Sequence, residues 1–237
     1  MRVGDRDVAV AAIIPCLDEA EAIHDVVAGV LAQGVDRVLV VDGGSRDDTV
    51  VQGEKAGAVV LVETRRGYGR ACATGVATAE TADVLLFLDG DGSDDPARIP
   101  TVVGPVARDE ADFVMGSRLR GNREPGSLGP QQVAAGRMAG LLLRMFYGVR
   151  FTDMSPLRAI RPKILANLGM QETTYGWNLE MQMRVAARGL RIVEIPVGCR
   201  RRRGGVSKVS GNASAALPAA WSIVKTFLRL AASLRRA

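Results

Sequence analysis

The stretch LFLDGDGSDDP, residues 86–96, ends an apolar run in four carboxylates, Asp89, Asp91, Asp94 and Asp95, separated by two glycines and a serine. Like charges this close repel one another, so something positive is needed to complete the group. Asp89 and Asp91 form a D-x-D whose hard oxygens suit Mg²⁺ or Mn²⁺, ions that keep few protein ligands and share substrate phosphates. Gly90 between them lets backbone approach a ligand closely. Asp94 and Asp95, just before Pro96, read instead as a helix cap whose charge complements the helix dipole.

Two further polar clusters follow apolar runs: PCLDEAE (15–21) after VAVAAII (8–14), and DGGSRDD (42–48) after RVLVV (37–41). These runs, with AVVLV (58–62), VLLFL (84–88) and DFVMG (112–116), alternate with segments of helical periodicity at 19–33, up to about 56, at 69–80 and beyond. Continuous apolar strands between helices predict an α/β fold, a mostly parallel central sheet flanked by helices. Ligands of such sheets bind beyond the carboxyl ends of the strands, where the three polar clusters fall. A Gly/Pro-rich basic loop (116–132), helices near 132–147 and 176–188, and a strand RIVEIPV (191–197) complete the second half.

The last 42 residues, from Pro196, hold nine Lys or Arg and no acid, whereas the rest of the chain has 22 basic against 26 acidic residues. That asymmetry directs the C-terminus towards something anionic. Within it, Trp221, Val224, Leu228 and Ala231 follow helical spacing, widened by Ile223, Phe227, Leu230 and Leu234, with Lys225, Arg229 and Arg236 on another face. This is an amphipathic helix, interfacial on a membrane or packed on its own domain or a second subunit. Two charges within the run argue against a spanning helix. At 47% hydrophobic and 24% charged the chain can bury a core. Three spaced cysteines without a CxxC pair and a lone His24 support neither a zinc site nor a disulfide framework, and no signal peptide is expected, which suits a reducing, cytoplasmic setting. Few aromatics (4%) and an acidic main body argue against nucleic acid as a partner.

Eight motifs occur in order: IIPCLDEAEAI, VVDGGSRDDT, RRGYGRACATG, LFLDGDGSDDP, ADFVMGSRLRG, TDMSPLRAI, YGWNLEMQ and RRRRGGVSKVSG. Together they resemble family 2 glycosyltransferases of the GT-A fold, closest to the dolichyl-phosphate mannose and polyprenyl-phosphate glycosyltransferase branch. The resemblance covers Val8 to Gly211, so the expected organisation is a glycosyltransferase domain over 1–211 followed by the amphipathic helix over 212–237. It implies transfer of a hexose, with inversion, from a UDP- or GDP-hexose to a polyprenyl phosphate, aided by Mg²⁺ or Mn²⁺, at the cytoplasmic face of an anionic membrane surface.

By motif position the resemblance assigns Pro15, Leu17, Glu19 and Asp42 to the nucleotide pocket, with Asp42 accepting from the base. Gly67, Gly69 and Arg70 lie over the nucleotide, and Asp89, Gly90 and Asp91 hold sugar and metal, Asp91 the more direct ligand. Arg118, Arg202, Ser207 and Lys208 meet phosphates of acceptor or donor, for which arginine's planar fork is suited. Not all of Arg200 to Arg203 can point one way in an extended chain, so a solvated strand edge is the alternative for part of that run. Glu180 falls where related enzymes with hydroxyl acceptors keep a base, yet a phosphate monoester is already largely ionised and needs none, leaving Glu180 free to order the acceptor loop instead. The chain departs from the family pattern at Ser93, where mannose synthases carry Gln, and at Arg137 and Ser155 on the expected acceptor side. A soluble hydroxyl acceptor, and a non-catalytic nucleotide-sugar-binding protein, are the competing expectations.

Overall fold

A computed structural model describes residues 1–79, 81–203 and 216–234. A short hairpin, β1 (Arg2–Val3) and β2 (Arg6–Asp7), precedes β3 (Val10–Cys16). There follow α1 (Ile23–Leu31), β4 (Arg37–Asp42), α2 (Thr49–Lys55), β5 (Val59–Val62), α3 (Tyr68–Thr78) and β6 (Val84–Phe87). A 3₁₀ turn at Pro96–Arg98 leads into α4 (Ile99–Ala107), then β7 (Phe113–Ser117) and α5 (Pro130–Tyr147). The chain continues through β8 (Arg158–Ile160), α6 (Pro162–Leu168), α7 (Trp177–Ala187), β9 (Ile192–Pro196) and α8 (Ala216–Leu234).

Seven strands form one sheet in the order β5-β4-β3-β6-β8-β7-β9. Every pairing is parallel except those of β8, which runs antiparallel to both β6 and β7. The continuous apolar runs explain this: β3 is buried along its full length, and β6 likewise, because helices cover both faces. One core layer gathers Ile13, Leu39, Phe87 and Phe113 with α3, α5, α7 and α8; the other gathers Ile14, Val40 and Leu86 with α1 and α4.

The C-terminal helix takes the docked arrangement. Phe227 and Leu230 of α8 are buried in the core, and α8 packs against α5 and α7. Phe146 and Tyr147 of α5 meet the Phe227 ring at 5.2 and 6.2 Å between centroids. Trp221 and Leu228 of the same helix stay exposed. Among the described residues no helix is long and apolar enough to cross a membrane.

Candidate active site

Two loops after the first strands are laced together. Cys16 and Asp42 pair at the ends of β3 and β4, and Glu63, after β5, donates its N–H to the Asp42 carbonyl. Asp18, at φ 51°, accepts from Arg46 N (2.8 Å) and donates its N–H to Ser45 Oγ (2.8 Å), while Glu19 N donates to Thr49 Oγ1 (2.8 Å). Asp42 Oδ2 accepts from Gly44 N and Ser45 N, and Oδ1 from the Ser45 hydroxyl. Asp42, expected to accept from a base, is here committed to shaping its own turn. Pro15 is buried, and Leu17 stands at the same strand end, half-buried.

The acidic stretch begins where β6 ends. Asp91 Oδ1 accepts from Ser93 N and so closes a tight turn. The expected cap is half right: Asp95 Oδ1 accepts from Ala97 N at the start of the 3₁₀ turn, but Asp94 turns inward. Asp94 Oδ2 accepts from Asp89 N (3.2 Å), and its buried Oδ1 has no hydrogen-bond partner. Gly90 also differs from expectation. A Cβ there would overlap Cys16 Sγ, so the close approach it permits is to the core beneath the site. Burial, then the charges of Asp91 and Asp94, push the Asp89 carboxyl up to about 8 against the opposing effects of Arg118 and the Tyr68 hydroxyl. Burial likewise lifts Asp94 to about 6.

A cavity of about 380 Å³ is lined by Asp89, Asp91 and Ser93 together with Arg118, Arg202 and the start of α5 at Pro130–Gln132. Arg118 is held by Asp153 in a two-pronged bond, Nε to Oδ2 at 2.8 Å and Nη2 to Oδ1 at 2.9 Å, which keeps its charge fixed and its pKa raised. Asp153 is a site residue that the sequence reading did not single out; an acid inside TDMSPLRAI facing a basic loop was the available signal. Arg158, also not singled out, is fully buried beside Asp89 and donates to the carbonyls of Ser155, Pro156 and Asn178. Burial lowers it to about 10, with Tyr68, Cys72 and Asp89 opposing.

The four consecutive arginines diverge, each to its own partner. Arg200 pairs with Asp95 (2.7 Å), Arg201 Nε with the Pro125 carbonyl (2.6 Å), Arg202 with Glu19, and Arg203 with Asp25. Only Arg202 of the four lines the cavity, with Nη2 also 3.7 Å from Asp91. Ser207 and Lys208 lie outside the described residues.

Gly67, Gly69 and Arg70 sit at the start of α3, under the loop before α7. A Cβ on Gly67 or Gly69 would strike backbone of Glu172 and Thr173, and Arg70 N donates to the Thr173 carbonyl (3.2 Å). Their nearest neighbour is therefore the chain itself. Glu180, on α7, is fully buried: it accepts from Gln171 N (3.0 and 3.1 Å), Glu172 N (2.7 Å) and Arg184 Nε (2.8 Å). Glu180 therefore holds the loop at Gln171 and Glu172, and it does not line the cavity.

Among the described residues no three His, Cys, Asp or Glu side chains form a ready-made metal cluster. The two carboxylates on the cavity, Asp89 and Asp91, still fit a Mg²⁺-type ion, which takes one or two carboxylates and completes its shell from substrate phosphates and water.

A mostly parallel sheet whose strand ends gather paired carboxylates beside fixed arginines is an α/β arrangement suited to handling phosphates. Residues 11–169 match the family described as glycosyl transferase family 2, and the chain belongs to that family. It is 37% identical over 205 residues to an uncharacterized glycosyltransferase of Mycobacterium tuberculosis, covering 86% of this chain and 91% of the relative. It is 33% identical over 221 residues to the undecaprenyl-phosphate mannosyltransferase of Micrococcus luteus, covering 86% and 88%. Among solved structures, glucosyl-3-phosphoglycerate synthase of Mycobacterium tuberculosis, in complex with Mn²⁺, UDP and glucosyl-3-phosphoglycerate, superposes with a TM-score of 0.73 at 22% identity, covering 94% of this chain and 80% of that one. The fold is GT-A and the protein is a glycosyltransferase.

Proposed function

We propose that the protein transfers a hexose, with inversion, from a UDP- or GDP-hexose to a polyprenyl phosphate, working as a peripheral protein on the cytoplasmic face of an anionic membrane. The observation that carries this reading is that one cavity is lined by Asp89 and Asp91 together with Arg118 and Arg202. Opposed charge of this kind suits two phosphates at once, one leaving and one attacking.

Asp91, with Asp89, would hold Mg²⁺ or Mn²⁺ against the diphosphate; when bound, the ion would neutralise charge developing on the leaving group. Asp89 also accepts from the Tyr68 hydroxyl at 3.2 Å, which fixes the carboxylate beside the cavity. In the reaction an acceptor phosphate oxygen bonds to the anomeric carbon, the bond from that carbon to the diphosphate oxygen breaks, and its electron pair leaves with the nucleoside diphosphate. Arg118, fixed by Asp153, meets the acceptor phosphate, and Arg202 meets the diphosphate. No proton needs removing from an ionised phosphate, which agrees with Glu180 being engaged on all sides.

Support for a lipid acceptor comes from α5, whose start lines the cavity, and from α8, which packs on α5. Pro130–Gln132 line the cavity wall, and further along α5 Leu141, Met145 and Phe146 are exposed, as are Trp221 and Leu228 on α8. Neither helix carries an acid, while Arg137, Arg144 and Lys225 are exposed on them. Exposed apolar and aromatic side chains on helices that also expose cations are what an anionic interface attracts. The similarity to the undecaprenyl-phosphate mannosyltransferase of Micrococcus luteus supports the same acceptor class.

The test is transfer from a panel of UDP- and GDP-hexoses with Mn²⁺, each with and without a polyprenyl phosphate in anionic vesicles, and with Asp91→Ala as control. Mn²⁺-dependent transfer to the lipid, abolished in the variant, is the expected result. Donor turnover that ignores the lipid would move the acceptor to a soluble hydroxyl compound.

A further inference from the structure

Arg229 lies on α8, well away from the cavity lining, with its side chain 63% exposed, yet its partner Glu172 is only 3% exposed. The pair joins the C-terminal helix to the loop before α7. Glu172 presents its other oxygen to Thr174, accepting from N at 3.0 Å and from Oγ1 at 2.7 Å. The same loop is pinned from below by Glu180, which accepts from the N–H groups of Gln171 and Glu172.

This loop covers Gly67, Gly69 and Arg70, the residues that the resemblance assigns to the nucleotide, and not the acceptor side that Glu180 was expected to order. The Thr173 carbonyl accepts from Arg70 N, and the backbone of residues 172–173 fills the space above Gly67 and Gly69. Tyr175 stacks on Tyr68, ring centroids 6.1 Å apart and planes 26° from parallel. The Tyr68 hydroxyl in turn bonds Asp89. From Arg229 to Asp89 the contacts are therefore continuous: ion pair, loop, stacked rings, hydroxyl, carboxylate.

We infer that Arg229 and Glu172 are positioning residues for the donor site, a clamp through which α8 sets the 171–175 loop and, by way of Tyr68, the aim of Asp89. An isolated ion pair with an exposed arginine contributes little to global stability, so the effect of this pair falls on loop placement. The inference rests on reading Asp89 as part of the donor site. It also gives α8 a route to the chemistry: whatever engages the exposed Trp221–Leu228 side of this helix acts on an element tied to Asp89.

Hydrogen exchange on the ligand-free protein and titration with Mn²⁺ plus UDP or GDP, on the full chain, test it together. Arg229→Gln is expected to speed exchange at 171–175 and also at 67–72, with Tm nearly unchanged. It should weaken nucleotide binding by about tenfold, the factor that about 1.4 kcal/mol of lost positioning gives. Arg229→Lys should restore most of that affinity, and Glu172→Gln combined with Arg229→Gln should be no worse than either alone. Faster exchange confined to 171–175, with 67–72 and affinity as in the wild type, would overturn the inference, as would an affinity loss that merely follows a fall in Tm. A wild-type protein that binds neither nucleotide would contradict the donor-site reading instead, and exchange at 67–72 would still decide whether the clamp exists.

Discussion

The Arg202 guanidinium stands 3.7 Å from the Asp91 carboxylate and bonds that of Glu19 beside it. The backbone follows: Arg203 N donates to the Asp91 carbonyl at 3.0 Å and Arg200 N to that of Ser93 at 2.9 Å. A fixed cation thus sits where the acidic cluster would otherwise be uncompensated, and it competes with any metal arriving alone. With a diphosphate present the same guanidinium has an anion to bond, and its buried Nε, unpartnered here, gains an acceptor. Arg202→Gln is therefore expected to have effects of opposite sign. Mn²⁺ alone should bind about tenfold more tightly and Mn²⁺ with nucleotide about tenfold more weakly, each equivalent to about 1.4 kcal/mol. Calorimetry with and without UDP or GDP reads both. Equal shifts in one direction would contradict this role.

Glu180 distinguishes a base from a structural acid. Its carboxylate is buried against two backbone N–H groups and Arg184, an arrangement whose loss leaves an uncompensated charge. Arg184→Met should cost about 3 kcal/mol of stability by denaturant unfolding. Glu180→Gln should lower Tm yet, assayed well below its own Tm, keep transfer within about tenfold of the wild type, whereas loss of a general base would lower kcat by about 10²–10⁴.

Gly69 tests the contact between α3 and the loop above it. A side chain there meets the Glu172 carbonyl and the Thr173 backbone, neither of which can swing aside as a flexible side chain would. Gly69→Ala should destabilise by about 1–3 kcal/mol through overpacking and weaken donor binding in parallel. Unchanged stability would mean the loop is looser than its hydrogen bonds suggest.

Much of this was legible from residue order alone. Buried strands β3, β4 and β6 read as apolar runs, and their polar ends marked the cavity, because a parallel sheet must bury both faces. β8 was not legible: three residues including Arg158 carry no periodicity, and their antiparallel place between β6 and β7 is a property of the whole sheet. The basic run gave its geometry but not its partners. Extended backbone dictates that the four side chains diverge, yet Glu19 and Asp25 lie far away in sequence. Glu180 was visible by motif, whereas its role depended on the Gln171–Glu172 backbone folding over it.

A surface acid away from the site predicts the acid response. Asp112 bonds Arg191 and Arg161, and the Arg191 bond first of all holds its carboxyl down at about 2. The stabilisation from a depressed carboxylate is complete above the ordinary aspartate value near about 3.9 and disappears as pH falls through the folded value. Because Arg191 is half exposed, solvent screening reduces the contribution to about 1 kcal/mol. Asp112→Asn should lower stability by that amount at pH 7, with the gap to wild type closing between pH about 4 and about 2. A gap that persists at low pH would assign the effect to packing.

The most direct measurement is calorimetric titration of the wild type and Asp91→Ala with UDP and with GDP, each with and without Mn²⁺. The account predicts that the wild type binds one of the two only when Mn²⁺ is present, and that Asp91→Ala weakens this by about 100-fold or more, about 2.7 kcal/mol. Binding that is indifferent both to Mn²⁺ and to Asp91 would contradict the assignment of the acidic cavity as the metal–diphosphate site.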